Sequence, residues 1–178
     1  MKIRRVVTGF DRDGRSCVVS DGPAPRTHDF EHLPGFSNTV VWSLAGAVAP
    51  AGTPADPTPS LTTLMPGPGG SALTIVRFPP AAALSDVDFE AAGEEQAREL
   101  PGLADTFDPD RPGFHATRTV DYQIVLSGEL WLGLDTGEET HLRAGDVVIQ
   151  NGTSHAWTNR ADEPAILAAV SIGTEQAG

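Results

Sequence analysis

Hydrophobic and polar positions alternate most regularly between Phe114 and Asn159. The odd positions of the opening run are His115, Thr117, Thr119, Asp121, Gln123 and Val125. The even positions are Ala116, Arg118, Val120, Tyr122, Ile124 and Leu126. A strand sends alternate side chains to opposite faces, so one face carries small polar and ligand-type groups and the other is mostly apolar. In an ordinary half-exposed strand the polar row faces water. That reading stands beside one in which the row lines an interior. Gly128 ends the run, and Glu129–Leu134 follows with Leu130, Leu132 and Leu134 on one face. Asp135-Thr136-Gly137 reads as a hairpin turn. Thr140–Leu142, a turn at Gly145-Asp146, Val147–Gln150 and a turn at Asn151-Gly152 come next. His155–Asn159 puts His155, Trp157 and Asn159 on one face, and Ala165–Ile172 is a last apolar strand. Short strands at regular spacing predict a sandwich or barrel.

The first half is less regular. Ile3–Phe10 and Ser16–Ser20, joined by turn chemistry at Asp11–Gly14, predict a hairpin, which is marginal alone and must pair with or cover something. Asp21–Pro34 holds Gly22, Pro23, Pro25 and Pro34 and is expected to be irregular. His28 and His32 sit there with the four-residue spacing that suits a metal on a helix, but the prolines argue against a helix. Phe36–Leu44 is a short strand. Ala45–Ser60 is too poor in large apolar side chains and too rich in proline for a core or a ladder, and reads as a long surface loop. Pro66–Gly70 is a turn: it lacks the Lys-Ser/Thr that a phosphate loop requires. Ser71–Phe78 is a strand stopped by Pro79 and Pro80. Ser85–Leu100 suggests one short helix, capped by Ser85 or Asp86 and weakened by Gly93. Pro101–Gly113 is a connector.

Composition narrows the partners. The chain has 178 residues, 19 Gly and 15 Pro, and a formal charge of −12, which argues against nucleic acid or an anionic membrane. The single Cys17 forms no internal disulfide, no run approaches a membrane span, and the start MKIRRVVTGFDRDG has no apolar signal-type region. A cytoplasmic location is expected.

The segment from His115 to Asn159 resembles the cupin superfamily. Its first motif is a His-x-His followed by Glu and then Gly. Here His115-x-Thr117, three residues, Asp121, six residues and Gly128 follow that spacing. The second motif is matched by Gly145, four residues, Gln150-Asn151-Gly152, two residues, His155, three residues and Asn159, one residue short. The resemblance covers about the last third of the chain. It implies an all-β fold: a cupin jelly-roll (double-stranded β-helix) barrel with extra N-terminal strands and one short helix. One domain over 1–178 is expected, with N-terminal strands and a Pro/Ala-rich loop in 1–80, a helix-bearing connector in 81–112 and the motif-bearing barrel in 113–173.

The departures from the motif define the expected site. In metal-bearing cupins both histidines and the glutamate of the first motif, with the histidine of the second, hold a divalent ion. Here the second histidine is Thr117 and the glutamate is Asp121. The resemblance implies His115, Asp121 and His155 as ligands for Fe, Mn, Ni or Zn, or else a metal-free acid/base cluster of the same groups. Asp121, Gln123 and His155 are the expected catalytic residues. Thr117, Gln123 and Trp157 are expected to meet the substrate, with Trp157 walling the cavity. Tyr122, Trp131 and Trp42 read as packing, His141 as surface, and Asn159 as a turn residue.

The function this implies is a small-molecule enzyme acting on an uncharged or anionic oxygenated metabolite. Metal-assisted, non-oxidative chemistry is favoured: isomerisation, elimination or decarboxylation. The alternatives are a metal-dependent dioxygenase and a non-catalytic, metal-free binder. A homodimer is expected, with Ile3–Phe10 as a strand to share, since an unpaired edge strand is a liability.

Overall fold

The computed structural model describes residues 1–46 and 55–175. Eleven strands and one α-helix lie within them, besides short 3₁₀ turns: β1 (Arg4–Phe10), β2 (Ser16–Pro23), β3 (Arg26–Asp29), β4 (Ser37–Leu44), β5 (Ser71–Phe78), α1 (Phe89–Glu99), β6 (Thr119–Ser127), β7 (Glu129–Leu134), β8 (Glu139–Arg143), β9 (Val147–Gln150), β10 (His155–Thr158) and β11 (Ala165–Gly173). Every pairing is antiparallel. Six strands form one sheet in the order β3-β4-β5-β11-β6-β9, and three form a second in the order β10-β7-β8. The fold is all-β with one short helix, its strands in antiparallel sheets as the strand spacing leads one to expect. Among the described residues no helix is long and apolar enough to cross a membrane.

The polar row of β6 faces inward. Thr119, Asp121, Gln123 and Val125 are buried, while Tyr122 and Leu126 on the other face are about half exposed. The strand inverts the usual assignment of polar out and apolar in. β6 lies between β11 and β9, with Asp121 opposite Ser171 and Gln150, and Gln123 opposite Ala169 and Val148. The β6–β7 corner needs Gly128: its φ is +73°, and a Cβ there would meet Ala165 Cα at 2.7 Å and the Pro164 carbonyl at 2.8 Å. No L side chain fits that geometry without strain.

Two apolar clusters flank the interior. One joins Val125, Leu130, Leu132, Leu142, Ala165 and Leu167 at the motif-bearing end. The other joins Phe30, Leu33, Val40, Leu64, Ala92 and Leu100, with Phe36, Met65 and Leu103 packed against it. Helix α1 closes this second cluster. Its N-cap is Asp88, whose carboxylate accepts from the N–H groups of Glu90 (3.0 Å) and Ala91 (3.2 Å), so the expected caps Ser85 and Asp86 give way. Residues 81–84 turn as a short 3₁₀ helix before it, which moves the helix start downstream.

The segment expected to be irregular contains the end of β2 and all of β3. His28 lies on β3 and binds the buried Glu95 of α1 (2.8 Å), which also accepts from the N–H groups of Glu31 (2.9 Å) and His32 (2.8 Å). This staple ties the helix to the β3–β4 turn. Burial pushes the Glu95 carboxyl up, but its three hydrogen bonds outweigh burial and hold it below the usual range. Of the expected loop 45–60, residues 47–54 lie outside the described residues. At its far end Thr58 is buried, and Asp56 and Thr58 bind the Arg5 guanidinium of β1. That end is therefore anchored rather than a free surface loop. Strands β1 and β2 pair as expected but form their own two-stranded sheet, with Val6 and Val18 half exposed.

Candidate functional site

The two motif histidines meet through the backbone. The His115 N–H donates to the His155 carbonyl and the His155 N–H to the His115 carbonyl, both at 3.0 Å. Directly opposed antiparallel residues put their side chains on the same face. The imidazoles therefore stand together, with ring centroids 4.4 Å apart. Trp157 meets the His155 ring edge-on at 6.0 Å, and Phe107 lies 4.9 Å from His115.

Each ring is oriented by one nitrogen. His115 Nδ1 pairs with the Gly113 carbonyl (3.1 Å) and His155 Nδ1 with the Thr153 carbonyl (2.9 Å). A carbonyl only accepts, so each Nδ1 carries the proton and each Nε2 presents a lone pair. His155 Nε2 is buried with no hydrogen-bond partner, as is Gln123 Oε1. Burial, then the neighbouring His155, lowers the His115 pKa to about 4 against the opposing pull of the Gly113 carbonyl and Asp121. Burial lowers His155 as well, opposed by its bond to Thr153. Both rings are therefore neutral at pH 7.

Asp121 is committed to hydroxyls. Its Oδ2 accepts from Thr119 Oγ1 (2.8 Å), Thr119 shares a hydrogen bond with Thr117 Oγ1 (2.7 Å), and Ser171 also binds the carboxylate. Burial raises its pKa, opposed by the Ser171 and Thr119 hydroxyls and by His115.

These residues line one cavity of about 760 Å³. Asp121, Gln123 and His155, almost fully buried, form its floor, while the exposed Phe89, Pro109 and Pro112 mark its mouth. Thr117, His115 and Trp157 also line it. The structure thus brings together all six residues expected from the sequence. It adds others. Ser171 and Thr119 fix Asp121, and the wall opposite the motif strands comes from the chain before the motif region, including Leu33, Phe36, Leu64 and Leu100. The alternation Leu167, Ala169, Ser171 on the last strand was the one sequence signal for Ser171; the far wall has no periodic signature.

The expected metal ligands fit only in part. The two Nε2 lone pairs suit a divalent ion. Asp121 does not join them: among the described residues no three His, Cys, Asp or Glu side chains gather as an ion's ligands, because the carboxylate is held by Thr119 and Ser171 and is one methylene shorter than the motif glutamate. The three-residue set is not assembled among the described residues. Of the packing residues, Trp131 stacks on His141 (4.2 Å, 6° between planes), and Asn159 satisfies the turn by binding the Phe78 and Glu163 carbonyls and the Ala161 N–H.

No family model matches the chain. A stretch of 55 residues is 49% identical to phomopsin biosynthesis cluster protein C' of Diaporthe leptostromiformis, over 29% of each chain. A cupin-domain-containing oxidoreductase of Neurospora crassa is 30% identical over 89 residues, 47% of this chain and 45% of that one. The chain thus spans less than half the length of these curated relatives. Among solved structures, a putative ethanolamine utilization protein q from Salmonella typhimurium aligns over 98% of this chain and 99% of its own, at 12% identity and a TM-score of 0.43, a likeness too distant to bear on function.

Proposed function

We propose, from the premise that this chain is a cupin, that it is an enzyme moving a proton within a small organic substrate held in the barrel interior. The observation that carries the reading is the oriented pair of neutral imidazoles on the cavity floor, one with a buried and unpartnered Nε2. A neutral imidazole held as the Nδ1–H tautomer is a ready base at Nε2. His155 takes a proton from a carbon or hydroxyl of the substrate. His155, now an imidazolium, returns it from Nε2 at a neighbouring position, while His115 stays neutral beside it. The pair carries at most one proton, because a charge on either ring disfavours a second. Thr117, Thr119 and Asp121 form a hydroxyl-to-carboxylate chain that fixes the polar wall, and Trp157 limits where the substrate lies. Proton removal at one atom and return at the next is isomerisation; removal with loss of a leaving group is elimination.

An oxidoreductase is the second reading, favoured by the name of the Neurospora crassa relative. It differs in requiring an oxidant, so dioxygen uptake separates it from proton transfer.

The test uses 5-nitrobenzisoxazole, a neutral aromatic whose N–O bond breaks as a base removes its ring C–H proton. The wild type is expected to open it, with the rate following a base of pKa below 6.5. His155→Gln is expected to slow it about 100-fold or more, the usual scale of a positioned base. Equal rates in both proteins would contradict the reading.

A further inference from the structure

The cavity also says what kind of molecule it takes. This inference rests on the proton-transfer reading for the location of the site, but its argument uses only the lining. The floor presents acceptors. Gln123 Oε1 and His155 Nε2 are buried without partners, in residues 6% and 2% exposed, and both belong to groups lining the cavity. His115 Nε2 is a third acceptor, since its Nδ1 donates to Gly113. A buried acceptor left without a donor carries a desolvation penalty, so the occupant is expected to bring a donor.

The walls are mostly apolar, with Asn38, Thr74 and Gln96 among the uncharged polar exceptions. Phe36, Met65, Val76, Phe78, Leu100 and Trp157 are among the apolar residues. No Lys or Arg lines the cavity among the described residues, and its carboxylates are Asp108 and Asp121. An anionic ligand would therefore be desolvated beside acceptors and a carboxylate with no cation to pair with it. A volume of about 760 Å³ matches cavities that enclose drug-sized ligands.

We infer that the substrate is an uncharged, largely apolar molecule of that size whose hydroxyl donates to Gln123 and the histidine pair. Phosphorylated and carboxylated metabolites are disfavoured there, since no Lys or Arg lines the cavity among the described residues to pair with their charge. This narrows the uncharged-or-anionic expectation to the uncharged half.

Three matched probes test it by equilibrium dialysis against the full chain at pH 7. They are 2-naphthol, 2-methoxynaphthalene and 2-naphthoate, which share one apolar body and differ in donor, capped and anionic oxygen. The expected result is binding of 2-naphthol about tenfold or more tighter than either of the others, the scale of one buried hydrogen bond. In Gln123→Leu and Gln123→Met the preference of naphthol over methoxynaphthalene is expected to shrink severalfold, while methoxynaphthalene binds at least as well as before. Naphthoate binding as tightly as naphthol, equal binding of naphthol and its methyl ether, or binding of none of the three would overturn the inference. The two readings fail separately. A naphthol preference together with unchanged benzisoxazole opening in His155→Gln would sink proton transfer and leave the ligand class standing. Loss of the preference with a strong His155 effect would do the reverse.

Discussion

His115 and His155 exchange both of their backbone hydrogen bonds, each N–H donating to the other's carbonyl at 3.0 Å. Forty residues apart in sequence, they are thereby fixed as a directly opposed pair, and the separation of their rings is set by the ladder rather than by side-chain freedom. The carbonyls of Gly113 and Thr153, each two residues before its histidine, then set both tautomers. Backbone pairing and tautomer of the two rings follow from the main chain.

The low pKa of His115 makes stability depend on pH. In the unfolded chain the ring takes a proton near its usual value of 6.5; in the fold it resists down to about 4. Between those values the unfolded state binds more protons, so stability falls as pH drops through that window and is fully present above it. His155, also lowered, acts in the same direction. Asp121, raised by burial, acts oppositely at the acid end, from about 3.8 upward. Urea denaturation of the wild type is expected to show a loss on the order of 2–3 kcal/mol from pH 7 to pH 4.5. His115→Gln should flatten that slope. A variant with the wild-type slope would place the dependence elsewhere.

The Glu95 staple is expected to hold α1 over the cavity. Its carboxylate satisfies two backbone N–H groups and the His28 ring from a residue 2% exposed. Glu95→Ala removes the acceptor shared by these three part-buried donors, at a cost of about 1–3 kcal/mol. Glu95→Gln, which keeps one acceptor, should cost less. Chemical denaturation of the two variants checks the order.

Gly128→Ala combines a φ of +73° with a contact of 2.7 Å to Ala165. Strain and overlap together should destabilise the fold by about 2–4 kcal/mol, seen as a lower midpoint in thermal unfolding. Gly137→Ala at the β7–β8 turn, where φ is +78° but nothing lies within 4 Å of the added Cβ, should cost about 1 kcal/mol.

Metal content tests the donor set. With Asp121 held by Thr119 and Ser171, the protein purified without added metal should carry less than about a tenth of an equivalent of divalent ion, unchanged by His115→Ala. Near one equivalent, lost in that variant, would mean that a third ligand joins the pair.

The motif-bearing strands were legible because period-two alternation and turn glycines run from His115 to Gly152 without interruption. The six expected site residues followed from that register. What the pattern hid depends on contacts between distant segments. Ser171 looks like one polar residue in an apolar strand until β11 pairs with β6 and sets it opposite Asp121. Strand β3 was masked by Pro23, Pro25 and Pro34, yet it is the edge of the six-stranded sheet, where flanking prolines disturb no inner ladder. Ser85, Asp86 and Asp88 are all competent caps by type; the tight turn at 81–84 decides among them. The wall formed by Leu33, Leu64 and Leu100 has no local period, because its residues meet only in the packed fold.

The most direct measurement of the central claim is the nitrogen NMR titration of the two histidine rings. Both rings are expected to hold the proton on Nδ1 and leave Nε2 bare at pH 7, with His115 taking a second proton only near pH 4. Either ring carrying its proton on Nε2, or His115 titrating at 6.5 or above, would contradict that claim.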